Sequence, residues 1–335
     1  MIDEVGAAAV QPAADRAWPR SFADRLTGPL PSTRDLWRLL RERPPTRRLL
    51  AGAPAIPVHA SRRLPPLTGQ ASVTWVGHAT FILRLGGLII LTDPVFSRRI
   101  PGVLPRVSPV GVPWSALPRV DAVVISHNHY DHLDAPTLRR LPRDTPVLVP
   151  ANLGDWFRRR RFTRVTELDW WESHRIGPVR CDLVPAHHWS RRTLTDTCRS
   201  LWGGWVFTVD SDASGGSTAP TGKSGTRVYF AGDTGYGHFF RQIGARYPGI
   251  ELALMPVGAY HPRWFMRPMH LDPEEAVQAF QEIGASRMVP MHWGTFILSH
   301  EPVLEPLERT RRAWAAAGLP AEHLWDLSIG ETRQW

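Results

Sequence analysis

The chain has 335 residues, 43% hydrophobic and 21% charged, the balance of a globular protein with a substantial core. No apolar run reaches the roughly 18–20 residues of a membrane span. The opening MIDEVGAAAVQPAADRAWPR sets acids ahead of a short apolar run, so it is not read as a secretory signal peptide. The net charge of +9 is almost all arginine, with Lys223 the single lysine, and residues 1–70 hold 11 arginines against 6 acids. A basic surface suits anionic partners. No nucleic-acid module accompanies it, so nucleic acid is not expected. Cys181 and Cys198 form no C-x-x-C pair, which points to a reducing cytoplasm rather than a disulfide framework.

In chain order, residues 1–70 read as a Pro/Arg-rich, partly ordered arm. A short amphipathic helix over 33–42 carries Leu36, Trp37, Leu39 and Leu40 and stops at Pro44-Pro45. The arm is read as packaging, with a surface-binding helix as the alternative. From 71 to 335 the pattern is that of one large domain. Residues 71–94 read as strand, turn, strand, Gly-Gly turn, strand. The Pro-rich apolar stretch 96–118 reads either as a lid or membrane contact, or as a packed connection. Strands are expected at 122–125 and 146–149, and helices at 135–141 and 152–160. The run Arg158–Arg161 either ends that helix or meets anionic headgroups. Further strands fall at 179–184, 205–209, 227–230 and 252–255, with a flexible Gly/Ser/Thr-rich loop at 210–226. A helix opens with Asp272 as N-cap and Pro273 at its first position. A strand at 287–290 and a helix at 305–317 follow.

The chemistry concentrates in SHNHYDH (126–132), directly after the apolar AVVI. His127, His129, Asp131 and His132 crowd four ligand-type side chains into six positions. Alternation along a strand end aims His127 and His129 one way, and the turn carries Asp131 and His132 to a second point nearby. Imidazole suits zinc, and a carboxylate adds a harder, charged ligand. Three more ligand types end predicted strands: His187-His188 in PAHHWS, Asp233 in FAGDTGY and His292 in MHWGTF. Singly, each reads as structural. Together they supply the count that two metals about 3.5–4 Å apart require.

H-x-H-x-D-H followed by His, Asp and His at long spacing resembles the metallo-β-lactamase superfamily. TWVGHAT (74–80), LTDPVFS (91–97), ELDWWE (167–172), LWGGW (201–205), GAYHPRWFM (258–266) and HLDPEEA (270–276) are similar to its branch of phospholipases D that hydrolyse N-acylphosphatidylethanolamine. The likeness runs over about residues 70–300 and leaves 1–60 outside. It implies an α/β class protein, an αββα four-layer sandwich with the site on the rim between two sheets. It also implies a dinuclear Zn2+ centre, with His127, His129 and His188 on one ion, Asp131, His132 and His292 on the other, and Asp233 bridging. His188 rather than His187 matches because it precedes Trp189. His270 matches a histidine near the substrate phosphate, and Asp93 an aspartate that supports the site. From the residues themselves, Asp93 reads as a buried partner of a ligand imidazole or as a turn cap before Pro94. Tyr260, Arg263 and Trp264 read as a substrate mouth, Arg suiting phosphate, or as packed side chains. His261 and the 210–226 loop depart from the branch pattern.

The activity expected is zinc-dependent hydrolysis of a phosphodiester, with Asp131, His270 and Asp93 in catalytic roles. The expected substrate is N-acylphosphatidylethanolamine, cleaved to N-acylethanolamine and phosphatidic acid. Two alternatives stand beside it: a hydrolase of a soluble phosphodiester or sugar-phosphate lactone, and a non-catalytic metal-bearing binding protein. The partners expected are a phospholipid or small phosphodiester and a peripheral contact with the inner face of the membrane, with a homodimer left open.

Overall fold

The computed structural model describes residues 16–59, 63–210 and 225–335. Its arm carries α1 (Thr33–Arg41) and α2 (Thr46–Leu49). Then come β1 (Ala71–Gly77), β2 (Thr80–Leu85), β3 (Leu88–Thr92), β4 (Ala122–Val124), α3 (Ala135–Leu138), β5 (Val147–Pro150), α4 (Gly154–Arg158) and β6 (Val165–Leu168). The second half begins with β7 (Ser173–Ile176), β8 (Val179–Val184), β9 (Gly204–Val209), β10 (Arg227–Phe230), α5 (Phe239–Arg246) and β11 (Leu252–Pro256). It closes with α6 (Arg263–Met266), α7 (Pro273–Ile283), β12 (Met288–Met291), α8 (Glu305–Ala316) and β13 (Thr332–Gln334).

These strands form two sheets, ordered β13-β1-β2-β3-β4-β5-β6 and β12-β11-β10-β9-β8-β7. Burial on both faces of the first sheet follows from strand alternation. In β4, Ala122 and Val124 join the core between the sheets, whereas Val123 and its successor Ile125 join a second cluster with Leu138 of α3 and Phe157 of α4. On the second sheet, Val277 and Phe280 of α7 and Ile243 of α5 pack into the main core. Helices thus cover the outer faces, and the architecture is the α/β sandwich expected. The β2–β3 hairpin turns at Gly86-Gly87, both at positive φ (55° and 79°), which side-chain-bearing residues rarely adopt.

The helix expected over 33–42 is α1. Ser32 caps it, its side chain accepting from the Asp35 amide while Asp35 accepts back from the Ser32 amide. The arm crosses the body: Phe22 is fully buried and donates its amide to the Cys198 carbonyl at 2.7 Å. Six elements went unread: the four-residue helices α2 and α6, and four others. The strands β6, β7 and β13 are short and polar (VTEL, SHRI, TRQ), so partner strands rather than their own alternation define them. The fourth, α5, is only eight residues long, holds Gly244 in its interior and has no side-chain cap at its N-terminus, so the start and stop signals that mark a helix are missing. The stretch 96–118 is a packed connection: Ile100 packs with Val95 and Phe296, and none of its large apolar side chains is exposed. The loop expected at 210–226 falls, but for its ends, outside the described residues. Among the described residues no helix is long and apolar enough to cross a membrane.

Candidate metal centre

Strand direction brings the ligand-type residues together. β3, β4 and β5 run parallel, as do β10, β11 and β12, while β8 and β10 share a direction because each pairs antiparallel with β9. Their C-terminal ends therefore gather at the rim, where α/β sheets offer their crevices. Asp93 follows β3, residues 126–132 follow β4, His188 follows β8, Asp233 follows β10 and His292 follows β12.

Two donor sets result. In the first, His127 Nε2 lies 2.9 Å from His129 Nδ1, which lies 3.2 Å from His188 Nε2. In the second, His132 Nε2 and His292 Nε2 are 3.3 Å apart and each is 3.4 Å from Asp131 Oδ2. Asp233 stands between the sets. Its Oδ2 is 4.0 Å from His127 Nε2, 3.9 Å from His188 Nε2 and 3.2 Å from His132 Nε2, and its Oδ1 is 3.1 Å from His292 Nε2. Metal–nitrogen bonds of about 2.0–2.1 Å around a tetrahedral ion hold ligand nitrogens roughly 3.3 Å apart. The donor set fits such ions in both spacing and chemistry.

The far side of these ligands is held in place. His132 Nδ1 is 2.7 Å from Asp93 Oδ2, and the Asp93 carboxylate also accepts from the Ser126 amide at 2.7 Å and its hydroxyl at 2.5 Å. His188 Nδ1 donates to the Met269 carbonyl at 2.9 Å. His78, in the TWVGHAT stretch, was assigned no role from sequence, yet it is fully enclosed and its Nε2 lies 2.9 Å from Asp131 Oδ2. A lone histidine after a strand carries no spacing signal, so only the fold reveals it.

Electrostatics divides the sets. Burial, then neighbouring imidazoles, hold His127 well below the ordinary imidazole value. Burial, with His188 adding to it, brings His129 to about 3, and burial against the pull of Asp233 brings His188 to about 4. These three imidazoles are neutral, the form that ligates metal. Burial also opposes charge on His132 and His292, but Asp233 and Asp131 outweigh it, lifting His132 well above its usual value and His292 to about 9. Two buried carboxylates need positive charge beside them, supplied by protons on these histidines or by a metal cation.

The other expected residues are placed as follows. The His270 ring neighbours those of His188 and His292, with Nδ1 4.0 Å from Asp233 Oδ2. Arg263 faces inward: it donates to the His270 carbonyl at 2.9 Å and pairs with Glu275 at 2.6 Å and Asp272 at 3.4 Å, so its guanidinium is already committed. Tyr260 is a correction, because it has no exposed surface and its hydroxyl donates to Glu305 at 2.6 Å. Trp264 is partly exposed but lies against the arm, under Arg38. His187 points elsewhere, its ring against Phe239. Sequence reading also missed a hollow of about 420 Å³ that opens at His129 and is lined by Tyr130, Trp189, Arg191, Arg192 and Leu194.

A model of the Beta-lactamase superfamily domain matches residues 89–293. An uncharacterized protein of Mycobacterium tuberculosis is 40% identical over 253 residues, 72% of this chain and 63% of that protein's length. N-acyl-phosphatidylethanolamine-hydrolyzing phospholipase D 1 of Caenorhabditis elegans is 34% identical over 256 residues, 71% of this chain and 68% of the relative. Among solved structures, an isothiocyanate hydrolase from Delia radicum gut bacteria aligns with a TM-score of 0.63 at 20% identity, over 79% of this chain and 99% of that one, a likeness of fold alone. With the domain match reaching both sheets, the chain belongs to the β-lactamase superfamily and has the metallo-β-lactamase fold.

Proposed function

We propose that this chain is a zinc-dependent phosphodiester hydrolase of phospholipase D type, acting on N-acylphosphatidylethanolamine to release N-acylethanolamine and phosphatidic acid. The observation that carries the reading is the pair of donor sets joined by the Asp233 carboxylate. His127, His129 and His188 would hold one ion, and Asp131, His132 and His292 the other. The imidazole-rich set favours zinc over harder ions. Bound there, a zinc pair supplies Lewis acidity toward the anionic diester and lowers the pKa of water to about 7. Asp93 acts through His132, whose ring it orients. His270, its backbone held by Arg263, faces the centre and donates a hydrogen bond to a phosphoryl oxygen. Arg191 and Arg192 at the hollow beside His129 supply positive charge for a phosphate, and the exposed Leu194 supplies apolar contact for an acyl chain. The name of the C. elegans relative favours a lipid over a soluble diester. Catalysis is assigned to residues 71–335, on the cytoplasmic side, where the free, buried Cys181 and Cys198 fit a reducing compartment.

The test is product analysis by mass spectrometry, using zinc-loaded chain, N-acylphosphatidylethanolamine in mixed micelles, and Asp131→Asn as control. Both lipid products are expected with the native chain, and at least about 100-fold less with Asp131→Asn, which removes a ligand charge. Cleavage of a soluble phosphodiester with no lipid product would keep the hydrolase and remove the phospholipase. Full activity in metal-replete Asp131→Asn would remove the assigned centre.

A further inference from the structure

We propose that the outward face of α1 docks on an anionic lipid surface and holds the metal centre against it. The purpose of this contact rests on the phospholipase reading; the contact itself does not. Leu36, Trp37 and Leu40 are 43%, 75% and 63% exposed, and α1 buries no residue at all. At 3.6 residues per turn these three share one side, while Asp35 and Leu39, the less exposed pair, turn toward the body. The helix thus carries its apolar stripe away from the protein. A nine-residue helix has little stability of its own. This one is secured by its Ser32–Asp35 capping box and by its seat on α6. Arg38 lies 4.0 Å over the Trp264 ring, and the Trp264 indole donates to Glu42 at 3.1 Å.

Charge selects the occupant. Residues 30–50 hold six arginines and two acids, and Arg34 and Arg41 border the apolar stripe along its Trp37 edge. An apolar stripe with Trp, bordered by arginines on a protruding helix, matches the headgroup boundary of an anionic bilayer. Arginine stems lie along the apolar layer while their guanidinium groups meet phosphate. The position matters too. From α6 the chain passes directly to Met269, whose carbonyl holds His188, and to His270 beside the centre. Docking α1 would therefore bring a lipid surface close to the turn that builds one wall of the site.

The test is co-sedimentation of the full, zinc-loaded chain with vesicles of phosphatidylglycerol and phosphatidylethanolamine, against vesicles of phosphatidylcholine. The comparison variant is Leu36→Ser/Trp37→Ser/Leu40→Ser, whose sites contribute nothing to the core; circular dichroism and bound zinc are checked in both. We expect the native chain to bind the anionic vesicles, to weaken as salt rises, and to lose about tenfold or more in partitioning in the triple variant. No binding to anionic vesicles, or equal binding by the triple variant, overturns the proposal. So does a native dimer that becomes monomeric in the triple variant without vesicle binding, which would make a second copy the occupant. Vesicle binding without lipid cleavage keeps the docking face and removes the phospholipase reading. Cleavage in micelles without vesicle binding does the reverse.

Discussion

At the scale of single residues, His78 shows how a side chain outside the ligand pattern shapes the centre. It sits at positive φ (56°) just after β1, with its amide donating to the Thr295 hydroxyl at 2.9 Å. Its carbonyl accepts from the Trp75 indole at 2.9 Å and the His292 amide at 3.2 Å. One residue therefore touches Asp131 through its ring and His292 through its backbone. His78→Ala removes the partner that aims Asp131, and such supporting bonds contribute about 10–100-fold to metal affinity. We expect a loss of that size, read by chelator-competition titration. An affinity equal to the native value would show that the hydrogen bond is incidental. The candidate ligands were legible because H-x-H-x-D-H compresses four of them into one turn. His78 was not, since nothing in T-W-V-G-H-A-T distinguishes a buried support from a buried core histidine.

At the scale of elements, the N-terminus of α7 stabilises more than a helix. The Asp272 side chain accepts from the Glu275 amide at 2.9 Å, and Glu275 accepts back from the Asp272 amide at 3.3 Å and from Arg263 at 2.6 Å. Arg263 in turn holds the His270 carbonyl. A helix cap two residues after His270 is therefore coupled to the wall of the site. Asp272→Ala should lower unfolding free energy by about 1 kcal/mol in a denaturant titration, the usual cost of losing an aspartate cap. It should also reduce kcat more than the stability loss explains, because His270 gains freedom. A stability loss with unchanged kcat would uncouple the cap from the site. This helix start was readable from D-P-E-E alone, whereas the use of Glu275 to engage Arg263 was not. An arginine between aromatics reads equally well as a phosphate ligand until its carboxylate partners are seen.

At the scale of the whole molecule, the centre joins the two sheets: His127, His129, Asp131 and His132 come from the first, and His188, Asp233 and His292 from the second. Metal bound between them stabilises the folded state only, so chelation should lower the calorimetric melting temperature. At a metal concentration of 100 times Kd the linkage amounts to about 2.7 kcal/mol, which for a chain of this size is roughly 4 °C. Superimposable scans with and without chelator would mean that the sheets do not share an ion. Alternation, Gly-Gly and Pro punctuation and the strand-end histidines were local signals, so the main strands and the candidate ligand types were determined by the sequence itself, while the class of fold came through the resemblance of its motifs to the metallo-β-lactamase superfamily. What lies across the rim was not so determined. Tyr260 was expected at a mouth and is buried, the arginines at the hollow beside His129 are Arg191 and Arg192, and among the described residues it is α1, not 96–118, that groups exposed large apolar side chains on one face. Periodicity states which residues share a face of one element. Only the packing of elements far apart in the chain decides whether that face is covered, and by what.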